Sequence, residues 1–200
     1  MSSTVSNAVI ERVRRAGVLR PRDLEAVGIS GTNLPRLAAA GQLVRVGRGL
    51  YALPESLTSA QHTLAVVSVR IPHGVICLVS ALRVHGLTTA APRRVWVAID
   101  PKAWKPRVQD LPVEIVRFSG EALTEGVEHH EIDAVQVPVY GAAKTVADCF
   151  KYRNKIGLDL AIEALRECWE RRLCTADELL QFARINRVAN VMRPYMESLS

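Results

Sequence analysis

The chain has 200 residues, 48% apolar and 23% charged, with a formal net charge of +6, proportions suited to one large soluble domain or two small ones. They exclude a membrane-spanning helix, because the longest apolar runs, such as Val75 to Val79 and Val95 to Ile99, have five residues against the roughly 18 to 20 that cross a bilayer. No apolar signal core lies in Met1 to Ala26, where Glu11, Arg12, Arg14 and Arg15 interrupt it, so a cytoplasmic location is expected.

The four cysteines, Cys77, Cys149, Cys168 and Cys174, form no Cys-x-x-Cys pair and no zinc spacing, and read as reduced, mostly buried thiols. Charge is uneven along the chain. Residues 1–99 hold 12 Lys and Arg against 4 Asp and Glu, and residues 100–200 hold 14 against 16. Between Glu55 and Asp100 no acid occurs, while Arg70, Arg83, Arg93 and Arg94 do. Such one-sided charge suits a polyanionic partner, since each neutralised phosphate releases counterions.

Val5, Val9, Val13 and Ala16 recur on one helical face, and Gly17 is the natural stop. A second short helix is expected from Pro21 toward Gly28, with Asp23 and Glu25 near its positive end. A third follows, capped by Ser30, Thr32 or Asn33, with Leu34, Leu37 and Ala38 facing inward. Pro35 favours a cap at Gly31 or later, which keeps it among the first four residues, where no helical acceptor is lost. After Gly41 the period changes to that of a β-hairpin, Leu43 to Val46 and Leu50 to Leu53 around a Gly47-Arg48-Gly49 loop. Three helices and an Arg-tipped hairpin make a winged helix-turn-helix, whose third helix enters a major groove while the wing lies on neighbouring backbone. Ser30, Thr32, Asn33, Arg36, Arg45, Arg48 and Tyr51 are the candidate DNA-binding residues. Read plainly, the first three are caps and Arg48 is a solvated loop charge. Such a module can also bind protein.

Pro54 to Leu57 is a plausible linker, and Thr58 is expected to cap a helix that Pro72 stops. Gly74 to Leu87 reads as a buried helix, with a strand as the alternative. Strands are expected at Arg94 to Ile99, Val113 to Phe118, Val127 to Ile132 and Ala134 to Val139. Helices follow at Ala142 to Tyr152, Leu158 to Arg172, Thr175 to Arg184 and Arg187 to Leu199. Thr175 and Glu178 form a capping box, and Pro194 is expected to bend or interrupt the last helix. The fold class is therefore α+β: an N-terminal winged helix-turn-helix, residues 1–54, followed by a mixed α/β domain with a C-terminal helical portion, residues 58–200.

Several segments resemble the AbiEi family of antitoxins. They are the Gly41-x-Leu43-x-Arg45 pattern continuing to Gly49-Leu50-Tyr51, and above all Lys144-Thr145-Val146-Ala147-Asp148-Cys149-Phe150-Lys151-Tyr152-Arg153-Asn154-Lys155 running on to Arg166. Ser80-Ala81-Leu82, His85-Gly86-Leu87 and Arg193-Pro194-Tyr195 add to the likeness, which covers nearly the whole chain. The resemblance implies a repressor of its own operon, bound to double-stranded operator DNA with inverted repeats and paired with a nucleotidyltransferase-like toxin. It also implies that the C-terminal domain is needed for antitoxicity. Neutralisation by direct protein contact, with DNA binding secondary, is the alternative.

Within that segment Asp148, Lys151, Tyr152 and Lys155 fall three and four apart, on one helical face. Either an Asp–Lys pair and a Tyr hydroxyl fix a helix corner, or Lys144, Asp148, Lys151, Tyr152, Arg153 and Lys155 form a face for the toxin or another partner. Asp100-Pro101-Lys102 imitates half of a metal-dependent nuclease site, but such chemistry needs a second carboxylate, and only Glu114 downstream is available nearby. His129 and His130, adjacent in a strand, point to opposite faces and cannot chelate one ion there. No catalytic residues, metal site or cofactor are expected, and the chain reads as a regulator rather than an enzyme.

Overall fold

In the computed structural model, which describes residues 2–58, 61–106, 108 and 110–199, Val9 and Val13 are fully buried on one side of helix α1 (Ser2–Ala16). Val5, on the same face a turn earlier, is 40% exposed, because α1 outruns the core it covers. Gly17 ends the helix with φ +68°, and a Cβ there would sit 1.7 Å from the Asp133 carbonyl oxygen, so no other residue fits. Strand β1 (Val18–Leu19) follows, then α2 (Pro21–Glu25), α3 (Asn33–Ala39), β2 (Val44–Gly47) and β3 (Leu50–Ala52). A 3-10 turn, Pro54–Thr58, leads to α4 (His62–Arg70). That helix begins at His62 with Gln61 before it, so Thr58 is not its cap.

Two units divide the chain. The first comprises Met1–Pro72, Arg107–Pro112 and His129–Val137, and the second His73–Pro106, Val113–Glu128 and Pro138–Ser200. In the first, the three strands pair antiparallel in the order β1-β3-β2. β1 was not expected from sequence: two residues between helices carry no period, and they become a strand by pairing Val18 with Ala52 and Leu19 with Tyr51. The hairpin loop is shorter than the expected three residues, since Gly47 stays in β2 opposite Leu50 and the turn is Arg48-Gly49. Leu24, Leu34, Leu37, Leu43, Val9 and Val13 form one core of this unit. A second cluster, Val18, Leu50, Ala52 and Val66, with Val69, Leu111 and Val135 against it, adds α4 and the two later segments.

The second unit starts with β4 (Val75–Ile76) and α5 (Leu78–Val84). The Gly74 to Leu87 run is thus not one helix. The Cys77 N–H donates to the Trp96 carbonyl at 3.0 Å, and Leu78, at φ +48°, turns the chain from strand into helix. Next come β5 (Val95–Ile99), β6 (Val113–Arg117), α6 (Glu121–Thr124), β7 (Val127–Ile132) and β8 (Val135–Tyr140). Within this unit β5 pairs parallel with β6 and antiparallel with β4, and Ile76 of β4 pairs parallel with Val139 at the end of β8. Asp133 and Ala134, both with positive φ, form the β7–β8 turn, the left-handed pair that a tight hairpin requires.

Helices α7 (Ala142–Lys151), α8 (Arg153–Ile156), α9 (Leu158–Glu170), α10 (Ala176–Ile185) and α11 (Ala189–Glu197) complete the chain. α7 is the core helix: every residue from Ala142 to Phe150 is buried, and α5, α9 and α10 pack on it. The Thr175–Glu178 capping box forms, Glu178 N–H to Thr175 Oγ1 at 3.2 Å and Thr175 N–H to Glu178 Oε2 at 2.7 Å. Pro194 lies inside α11 without ending it. No helix among the described residues is long and apolar enough to cross a membrane.

Candidate nucleic-acid interface

The α2-turn-α3 corner closes because Gly31 lacks a side chain: a Cβ there would lie 2.7 Å from Pro21 Cβ and 2.8 Å from Glu25 Oε1. Pro35 is the third residue of α3 and costs no helical hydrogen bond. Ser30 and Thr32 are exposed and bonded to each other, Oγ to Oγ1 at 2.7 Å, and Asn33 Nδ2 donates to the Ser30 carbonyl at 2.8 Å. Thr32, directly before α3, has helical φ and ψ and makes no side-chain cap bond, whereas Ser30 Oγ accepts the Thr32 N–H at 3.4 Å in the turn that leads into the helix. Arg36, one turn in, is exposed, and its guanidinium donates to Asn33 Oδ1 at 3.1 Å and Ser6 Oγ at 3.3 Å. Those contacts hold the side chain along the outer face of α3.

Arg45 and Arg48 are exposed on the wing. Arg45 Nε donates to the Gly47 carbonyl at 3.2 Å, across the bulge in β2. Tyr51 does not join them. It is 7% exposed and packs in the core with Leu19, Leu43 and Leu53, because β3 is the central strand of its sheet.

The wing tip is held by residues that sequence reasoning did not single out. Asp110 accepts a hydrogen bond from the Arg48 backbone N–H at 2.9 Å, and Arg70 donates to the Arg48 carbonyl at 3.0 Å. The bond from Arg48 and the nearby Arg70 charge hold the Asp110 carboxyl below the usual carboxylate range. Both backbone polar groups of Arg48 are thereby satisfied within the protein. No local pattern signals this, for the partners are 62 and 22 positions away. His62 and Asp133 also meet in this unit, Nδ1 to Oδ2 at 2.8 Å, with His62 buried.

In the second unit the six residues expected as a partner face are placed very differently. Lys144 and Asp148 are fully buried and ion-paired, Nζ to Oδ1 at 2.5 Å, which removes both from any surface. Lys144 Nζ also lies 4.1 Å from the Tyr140 ring centroid and 4.8 Å from that of Phe118, and Asn186 Nδ2 donates to Asp148 Oδ1 at 2.7 Å. Burial pushes the Asp148 carboxyl up to about 6, against the opposing pull of Lys144 and Asn186. Asp148 Oδ2 is buried without a hydrogen-bond partner.

Tyr152 is half-buried, its hydroxyl donating to the Arg117 carbonyl at 3.2 Å, and burial pushes the phenol up to about 12. Arg153 donates to the Phe150 carbonyl at 2.9 Å, satisfying the end of α7. Lys155 bonds Glu114 at 2.8 Å and lies 4.9 Å from the Trp96 ring centroid. Lys151 is exposed. The six are therefore not one face: two are core, three tie the end of α7 and the start of α8 to neighbours, and Lys151 reaches solvent.

The nuclease-like Asp100-Pro101-Lys102 is a turn, Asp100 Oδ1 accepting the Lys102 N–H at 2.7 Å. Arg117 binds the Asp100, Pro101 and Ala103 carbonyls at 2.6, 3.1 and 2.6 Å. Glu114 is taken up by Lys155 and Arg94.

Comparison with known proteins gives three findings. No curated protein matches the chain. Among solved structures it is similar to the RV2827C protein from Mycobacterium tuberculosis, at 17% identity and a TM-score of 0.61 over 90% of this chain and 71% of that one, a likeness of fold. A family model described as transcriptional regulator, AbiEi antitoxin, matches residues 7–54, a stretch that runs from α1 through the wing. Over those residues the chain is similar to the AbiEi antitoxins, a match that supports a toxin–antitoxin regulator role.

Proposed function

We propose that the chain is a cytoplasmic antitoxin that binds double-stranded operator DNA through α3 and the wing, represses its own operon and counteracts a nucleotidyltransferase-like toxin. The reading assigns DNA binding to residues 1–54 and antitoxicity to residues 58–200. The observation that carries it is the exposure of Arg36, Arg45 and Arg48 on the two elements that a winged helix presents to DNA, in a segment matched to a regulator family. Arg36, near the start of α3, suits a guanine edge. Arg48, at the wing tip, suits phosphate. Ser30 and Thr32 lie beside α3 as further phosphate donors.

The test is a gel shift of the full chain on the duplex upstream of its own reading frame, with inverted repeats intact or scrambled, between about 50 and 200 mM salt. Expected is preferential binding to the intact repeats, weakening steeply with salt. Equal affinity for scrambled DNA would overturn operator recognition. Neutralisation of the toxin by direct contact is the second reading, favoured by the exposed Lys151 at the end of a helix otherwise buried. Growth rescue by an Arg36→Ala, Arg48→Ala chain that no longer binds operator would establish it.

A further inference from the structure

The chain leaves helix α9 through a turn that brings two cysteines together. Arg172, at φ +53°, is the left-handed residue. The Leu173 N–H donates to the Cys168 carbonyl and the Arg172 N–H to the Trp169 carbonyl, each at 3.0 Å. These are the paired bonds of a Schellman motif, which folds the chain back over the last turn of its helix. Cys174, the next residue, therefore returns to Cys168, and Cys168 donates an S–H···S hydrogen bond to it at 2.7 Å between sulfurs. Cys168 is fully buried and Cys174 half-buried.

The other two thiols, Cys77 and Cys149, are fully buried, and burial drives both well away from the thiolate form. The bond from Cys168 draws the Cys174 thiol below its ordinary value despite the cost of burial. Cys174 thus combines access to solvent, a tendency to ionise and a second sulfur in contact, the attributes of a peroxide-sensing cysteine with its resolving partner.

We propose that Cys168 and Cys174 are a redox site whose substrate class is hydroperoxides. The Cys174 thiolate attacks the peroxide, an S–O bond forms as the O–O bond breaks, and Cys174 becomes a sulfenic acid while an alcohol or water leaves with the thiol's proton. Cys168 sulfur then displaces the sulfenic oxygen as water, forming the disulfide. In sum, two thiols lose two electrons and two protons, and one hydroperoxide is reduced to alcohol and water. The bond ties the last turn of α9 to the residue before Thr175, the N-cap of α10, whose C-cap Asn186 contacts Asp148.

Hydrogen peroxide on the intact chain is the probe. Expected is loss of two of the four titratable thiols and about 2 Da of mass, both restored by dithiothreitol. Trypsin cuts after Arg166, Arg171, Arg172 and Arg184, so residues 167–171 and 173–184 should leave the oxidised chain as one linked species and separate on reduction. Cys174→Ser should remove the mass loss, while circular dichroism checks that it folds. Four thiols surviving peroxide, a link from Cys174 to Cys77 or Cys149, or an undiminished mass loss in Cys174→Ser would each overturn the proposal.

Discussion

The winged helix and helix α7 use their charges in opposite ways. Arg36, Arg45 and Arg48 stand in solvent on short elements whose apolar residues make a separate core. Lys144 and Asp148 lie where nothing from Ala142 to Phe150 is exposed, and their charges face each other, Asn186 and two aromatic rings. A charge near a surface leaves its hydration largely intact and is available to a partner. A charge in a core has given up water and acts only on its immediate neighbours. The difference teaches that a run of basic residues is not one functional unit until the burial of each is known.

The largest effect expected from this contrast is on folding. Lys144→Ala leaves Asp148 buried without its counter-charge and should cost about 3 to 5 kcal/mol in urea denaturation. Replacing the pair together, Lys144→Met with Asp148→Leu, should cost less than the single change, because no charge then remains buried. A loss under about 1 kcal/mol for Lys144→Ala, the size usual at surfaces, would break the contrast.

Next in size is a pH effect at the same pair. Asp148 titrates at about 6 in the folded chain against 3.8 ordinarily, raised by burial and held back by Lys144 and Asn186. Between those values the folded state keeps a proton that the unfolded state has lost. The contribution is thus fully present below about pH 3.8 and disappears as pH rises to about 6, on the order of 1 kcal/mol per pH unit. Measured as the stability of the natural chain minus that of Asp148→Asn, the difference should fall across this window. A flat difference would show that the carboxyl is already ionised throughout.

The exposed arginines should leave stability nearly untouched and alter binding instead. Arg36→Ala should lower discrimination between operator and random duplex by about 1 to 3 kcal/mol. Arg48→Ala should weaken both equally and flatten the salt dependence. The whole chain is the right reagent, since Val18, Leu50 and Ala52 pack with Val66, Leu111 and Val135 from beyond residue 57. Discrimination unchanged in Arg36→Ala would remove that residue from base reading.

Smallest are two controls in the second unit. Thr175→Ala removes the acceptor for the Glu178 N–H and should cost about 1 kcal/mol in thermal or urea unfolding. Lys151→Ala, at an exposed position, should stay within about 0.5 kcal/mol. A larger loss at Lys151 would mean that α7 has no exposed end.

The sequence by itself determined the elements whose period or punctuation is local. Val9 and Val13 mark α1, Pro21 opens α2, Pro35 sets where α3 begins, the alternation around Arg48-Gly49 makes the wing, and Thr175 with Glu178 starts α10. These follow from interactions within a few residues, which a one-dimensional pattern can encode. Only the tertiary structure decided that Val18 and Leu19 are a strand, that Gly74 to Leu87 is a strand and a helix, and that Tyr51, Lys144 and Asp148 are core. It also brought Asp110 to the wing tip and Cys174 to Cys168. Strand pairing and burial depend on what chain arrives from elsewhere: α7 keeps helical spacing whichever face is covered, and neighbours on every side turned its polar residues inward.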